Sequence, residues 1–181
     1  MKERLALFLL LLLPPIALAP AWAGGHIVSP GDGAALHLPL RAAVWDAWRR
    51  GELPAWNAAI FSGTPLLSAY RPGALYPPMA LLLVLPPFEA FQVLVTGSLA
   101  LCGPLLFLYL RQLGANAVGA FVSGMSFALG PYLVGHLDDA ATAIAAPLLP
   151  LLLLALEGHL RKASLRRAAG LAASFGLLLL A

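Results

Sequence analysis

The sequence predicts an all-α fold: a polytopic membrane helix bundle whose long outer loop carries an interfacial amphipathic helix. Three observations predict it. The chain is 61% hydrophobic and only 10% charged, with a mean hydropathy of +0.87, whereas a soluble domain carries about 25% charged residues. Apolar runs close to the roughly 20 residues needed to cross a bilayer recur along the chain. The basic residues sit mostly at the ends of those runs, so the net charge of +3 reflects topology and makes no case for a nucleic-acid partner. The single cysteine, Cys102, lies inside an apolar run and excludes an intramolecular disulfide.

The first span is predicted at 5–23, behind Lys2 and Arg4. The same stretch also reads as a secretory signal peptide, with Ala21-Trp22-Ala23 as an A-x-A cleavage site. Several spans follow, which favours a retained anchor. Pro14-Pro15 interrupts the run and suits neither reading well.

A loop of 51 residues, 24–74, comes next and holds three of the four tryptophans. Long loops of this composition are more often functional than passive. Within it, Pro39 is placed to open a helix that reaches about Arg50 and stops at Gly51. Leu40, Ala43, Val44, Ala47 and Trp48 make its apolar arc, and Arg41, Asp46, Arg49 and Arg50 the remainder. Asp46 and Arg50 are spaced to pair at i, i+4. Such a helix is expected along the membrane surface.

The next apolar region, 75–110, is too long for one span and is divided by Pro86-Pro87. It predicts a short apolar segment at 75–85 that dips into or lies on the bilayer, then a span at about 88–110. Glu89 is expected at the interface rather than buried. Further spans are predicted at about 115–134 and 140–156, and a fifth at 169–181, too short to cross and so read as truncated. On this reading the chain is the N-terminal part of a larger membrane protein, or a fragment. Lys2, Arg4, Arg111, Arg161, Lys162, Arg166 and Arg167 fall on one side, and the opposing short loop, 135–139, has no Lys or Arg. The positive-inside rule therefore puts the N-terminus in the cytoplasm. The long loop and Asp138-Asp139 share the outer face.

Two acidic points on that face carry the candidate chemistry. Asp32 lies between Gly31 and Gly33, whose freedom of φ lets backbone approach a ligand closely; a turn or cap aspartate is the plain alternative. Asp138 and Asp139 follow His136 in a short loop near the membrane plane, where a solvated charge is the plain alternative. Together the points are suited to flank a phosphate-linked substrate through Mg²⁺ or Mn²⁺, which take oxygen ligands. One carboxylate would serve equally as a general base on an acceptor hydroxyl. Arg41, Arg49, Arg50 and Arg71 suit phosphate or lipid headgroups. The four histidines, at 26, 37, 136 and 159, show no metal-ligand spacing, although His37 and His136 share the outer face. No phosphate-binding Gly-rich loop, paired-Cys metal site or G-x-S-x-G is present.

The order of short motifs resembles the start of the YfhO-like bacterial membrane proteins. The resemblance is carried by Asp32, Pro39-Leu40-Arg41, Gly51-x-x-Pro54-x-Trp56-Asn57, Phe61-x-Gly63-x-Pro65-Leu66 and Tyr76-Pro77. It continues in the run from Gly124 to Leu129, His136-Leu137-Asp138-Asp139, and the run from Pro147 to Leu151 leading to Glu157 and Leu160-Arg161. It covers essentially the whole chain from residue 28.

The resemblance implies a GT-C type membrane glycosyltransferase. Such proteins move a sugar from a polyprenyl-phosphate donor to a cell-envelope polymer or protein acceptor at the outer face of the bacterial cytoplasmic membrane. It implies Asp32 as the catalytic carboxylate of the first outer loop and Asp138 or Asp139 as the second acidic site, with a divalent cation there. Arg41, Trp56, Asn57, Arg71, Tyr76 and His136 are the expected substrate-binding residues. Family members have many more spans than this chain. The alternatives are a non-enzymatic transport or envelope-assembly scaffold protein and an inactive fragment. The central parts of the spans lack charges, which favours surface chemistry over a path through the membrane.

Overall fold

A computed structural model describes residues 3–60, 62–68 and 73–181. Lys2, Phe61 and Arg71 lie outside the described residues. The described chain is mostly helical with almost no strand, and four of its helical stretches are long and apolar enough to cross a membrane: Glu3–Ala23, Pro87–Gln112, Ala117–Gly135 and Ala140–Arg161.

Helix α1 (Glu3–Ala23) runs unbroken through Pro14, Pro15 and Pro20. Each of these lacks an amide N–H and so costs the helix one hydrogen bond, which tertiary packing offsets. Ala6, Leu10 and Pro14 are buried on that packed side. Helix α3 (Pro87–Gln112) is the central element and packs against α1, α4 and α7. Its contact with α4 (Ala117–Ala128) is close because both surfaces are small there. A Cβ added at Gly124 would stand 2.7 Å from the Gly103 carbonyl, and Leu10 of α1 sits over both glycines. In lipid, where apolar side chains gain nothing by leaving one apolar solvent for another, such backbone proximity is a main source of helix association.

The third and fourth spans are each broken, which the sequence reading did not anticipate. After α4, the chain kinks at Gly130 and resumes as α5 (Pro131–Gly135). Pro131 removes one amide donor, and any side chain at residue 130 would meet the Ser126 carbonyl at 2.1 Å. The next span splits at Pro147 into α6 (Ala140–Ala145) and α7 (Leu148–Arg161). Helix α8 (Leu165–Leu180) begins four residues before the expected start at 169 and packs on α7.

The helices run alternately, so the bundle has two distinct ends. At one, Arg111 donates to Glu3 from Nε (2.8 Å) and Nη2 (2.6 Å), close to the α7–α8 turn. The other carries the described residues of 24–86 and the turn 136–139. The long loop there is not loose. It holds α2 (Leu38–Arg49), a two-residue antiparallel pair of β1 (Trp56–Asn57) with β2 (Thr64–Pro65), and a 3₁₀ helix at Pro77–Leu83 where a dipping segment was expected. Buried Leu40, Val44, Leu66, Met79 and Leu82 join its core to Phe91 and Val95 of α3.

Helix α2 starts and stops where the sequence placed it. Gly51, at φ +72°, supplies the left-handed stop. Its N–H donates to Trp48 O (3.0 Å) and that of Glu52 to Ala47 O (2.9 Å), the paired bonds that close a helix C-terminus on glycine. Two details differ from expectation. Arg50 pairs with Glu52 (2.9 Å) rather than Asp46, because this stop folds Glu52 back beside it. Arg41, assigned to the polar side, is buried, since α2 is packed against α3 on one side and the adjoining loops on another. Glu89 is exposed in the first turn of α3, as expected.

Candidate functional site

Gln92, buried on α3, fixes where the long loop begins. Its Oε1 accepts from Val28 N–H (2.8 Å) and its Nε2 donates to His26 O (2.9 Å). Beside it, Trp22 Nε1 donates to Thr96 Oγ1 (3.1 Å). From this clasp the chain enters the segment 29–33, which docks on the turn 137–139. Ser29 Oγ donates to Leu137 O, and Gly33 N–H donates to Asp138 O at 2.7 Å.

Both glycines around Asp32 are required by this geometry. Gly31 has φ +62°, and a Cβ there would lie 3.1 Å from Asp138 Cβ; one on Gly33 would strike Ser29 Oγ at 2.0 Å. Asp32 itself is exposed and has helical backbone angles. It does not cap the helical turn that follows, and no described residue donates to its carboxylate. The two acidic points of the sequence thus meet backbone to backbone.

A π-helical turn, Gly33–His37, carries the chain into α2 and delivers His37 and Arg41 beneath the same junction. His37 is fully buried, and its Nε2 donates to Asp139 Oδ1 (3.0 Å). Asp139 caps α6: its Oδ1 also accepts from Ala141 N–H (3.2 Å) and its Oδ2 from Thr142 Oγ1 (3.0 Å). Burial raises the Asp139 carboxyl pKa, but the bonds from Thr142 and Ala141 and the nearby His37 outweigh it. The net effect holds the group below its ordinary value. Arg41 is 1% exposed. Its Nη1 donates to His37 O (3.2 Å), and its guanidinium lies over the Phe91 ring, 5.3 Å from the centroid. Burial lowers its pKa to about 10, opposed by the charge of Asp139, so it stays cationic near neutrality.

The other expected site residues lie apart from this junction. Trp56 is exposed, with its indole against Gly63. Asn57 Oδ1 accepts from Ala59 N–H (3.0 Å), an Asx turn that shapes the hairpin. Tyr76 is buried in the wall of an open cleft of about 530 Å³ shared with Trp48, Glu52 and Leu83, and burial raises its phenol pKa. His136 donates from Nδ1 to Tyr132 O (2.7 Å) and stacks on that ring at 4.7 Å. Its partner is therefore Tyr132, while His37 pairs with Asp139. Arg71 lies outside the described residues.

With Asp139 engaged by protein donors, a divalent cation would have to be held by Asp32 and Asp138 together with substrate oxygens. Both Asp139 oxygens already accept from protein donors, and no three His, Cys, Asp or Glu side chains gather as a metal-holding group among the described residues. Sequence reasoning missed Gln92, Ser29 and Thr142. Only Thr142 had a signal: it stands three residues after a capping aspartate, where a capping partner belongs.

Comparison with models of protein families, with curated proteins and with solved structures finds no match to this chain.

Proposed function

We propose that this chain carries the catalytic junction of a YfhO-like, GT-C type glycosyltransferase of the bacterial cytoplasmic membrane. It takes a polyprenyl-phosphate sugar as donor and a cell-envelope polymer or protein as acceptor. The observation that carries the reading is the docking of the Asp32 segment on the Asp138-Asp139 turn through Gly33 N–H and Asp138 O (2.7 Å). It gathers three carboxylates, a buried histidine and a buried arginine at one end of an apolar bundle.

The roles divide by environment. Asp139 is held by His37, Thr142 and Ala141 and acts as structure. Asp32, exposed and without a described donor, is the base. It takes the proton of the acceptor hydroxyl as that oxygen attacks the anomeric carbon. The bond from that carbon to the donor phosphate oxygen breaks, and the polyprenyl phosphate leaves with the electron pair. Arg41, cationic below the junction, offsets the charge that develops on the leaving group. Asp138, exposed beside Asp32, orients the acceptor hydroxyl. No step needs a metal.

Two features support a membrane-surface setting with this end outside. Leu75, Leu83 and Val84, around the 3₁₀ helix, are 60%, 70% and 76% exposed, as suits a segment seated in the interface. The basic residues Arg4, Arg111, Arg161, Lys162, Arg166 and Arg167 lie at the opposite end, which the positive-inside rule assigns to the cytoplasm.

The test is transfer from a pool of polyprenyl-phosphate sugars by membranes containing the full gene product, compared with Asp32→Asn at equal membrane level. Loss of a general base predicts a fall of about 10²–10⁴-fold. Unchanged turnover would remove Asp32 from the chemistry.

A further inference from the structure

At the end of the bundle away from the acidic junction, the turn from α7 to α8 encloses a cleft of about 470 Å³. Gly158, Ser164, Arg166, Arg167 and Gly170 line it. The two glycines keep its floor open. A Cβ on Gly170 would meet nothing within 4 Å, and one on Gly158 only Gln112 Nε2 at 3.6 Å.

Four cations fall within the seven residues from Arg161 to Arg167, and they are not equivalent. Arg161 pairs with Glu157 (2.7 Å). Arg167 donates from Nη1 to Gly158 O (2.5 Å) and Lys162 O (3.2 Å), closing the C-terminus of α7 and pinning its guanidinium to the cleft wall. Among the described residues, neither the Lys162 ammonium nor the Arg166 guanidinium has a hydrogen-bond or ion-pair partner. Beside these cations stand two leucines with no packing role, Leu160 at 70% exposure and Leu165 at 88%.

Unpaired cations around a cleft call for an anion with several acceptor oxygens, and guanidinium groups fit phosphate best. The leucines decide which phosphate. A free anion in water gives Leu160 and Leu165 nothing to bury against, whereas a lipid presents phosphate and acyl chain together. We propose that this cleft seats the headgroup phosphate of an anionic phospholipid, with Arg166, Arg167, Lys162 and the Ser164 hydroxyl on the phosphate and the two leucines in the acyl boundary. The reading is independent of the chemistry at the other end.

The test uses the full chain in nanodiscs of mixed phosphatidylcholine and phosphatidylglycerol, with co-purifying lipid counted by native mass spectrometry. Phosphatidylglycerol should be retained over phosphatidylcholine. The double change Lys162→Gln and Arg166→Gln, both at exposed positions, should lower that retention at least about fivefold. Arg4→Gln, exposed and basic at the same end, should leave it unchanged. Equal retention of the two lipids, an unaffected double variant, or an equal loss in Arg4→Gln would overturn the site. Displacement of phosphatidylglycerol by inorganic phosphate alone would overturn the lipid in favour of a free-anion site.

Discussion

Three donors from two parts of the chain converge on the Asp139 carboxylate: a buried imidazole from the long loop, and a backbone amide and a hydroxyl from α6. That convergence ties the 29–41 segment to the 136–142 turn, so Asp139→Asn is expected to loosen the junction rather than abolish a chemical step. Asparagine keeps one capping oxygen but loses the charge and the second acceptor, which costs about 1–2 kcal/mol, readable as a lower unfolding midpoint in detergent. The pH dependence has a definite sign. The folded pKa is depressed, so the stabilisation is complete above the ordinary carboxylate value of 3.8 and is lost as the pH falls through the lower folded value. The two proteins should therefore differ in stability near neutrality and converge in acid; a gap that persists in acid would show that packing, not charge, holds the junction. Arg41 illustrates where residue-level reading stopped short. Its position in the helical period put it on the polar side of α2, but a helix covered on more than one side buries part of that side too. The cost of burying its charge is reduced by Asp139, Phe91 and the His37 carbonyl.

Among the elements, α3 and α4 approach closely where Gly103 faces Gly124. Gly124→Ala places a methyl group 2.7 Å from Gly103 O, a backbone atom that cannot turn aside, and 3.2 Å from Leu10 Cδ1. A destabilisation of about 1–3 kcal/mol is expected. Gly97→Ala on α3 meets nothing within 4 Å and should be neutral or stabilising by up to about 1 kcal/mol. Thermal unfolding of the two variants side by side checks the contrast, and equal effects would contradict the packing described. Elements were most legible where local chemistry decides them. Pro39 and Gly51 bracket α2 because a ring-fixed φ and a left-handed stop act within a few residues. The breaks at Gly130-Pro131 and Pro147 had the same kind of signal in the sequence, but hydropathy averages over such residues and returned continuous spans. The docking of Ser29 and Gly33 on the 137–139 turn was not legible at all, since a bond across 108 residues leaves no local pattern.

For the whole molecule, the consequence of alternating helices is a separation of chemistries. One end holds the acidic junction with its buried cation, and the other the Glu3–Arg111 pair and the basic α7–α8 turn. Composition and the distribution of basic residues were sufficient to foresee the helical bundle and to put both acidic points at one end. They could not distinguish the roles of Asp138 and Asp139, which differ only in what folds against them. If the junction acts as one site, Asp32 and Asp138 must fail together rather than independently. The most direct measurement is a double-mutant cycle on sugar transfer by the full gene product, using Asp32→Asn, Asp138→Asn and the pair at equal membrane level. The account predicts that the pair is barely slower than Asp32→Asn alone. Rate losses that multiply, or a transfer rate indifferent to Asp32, would contradict it.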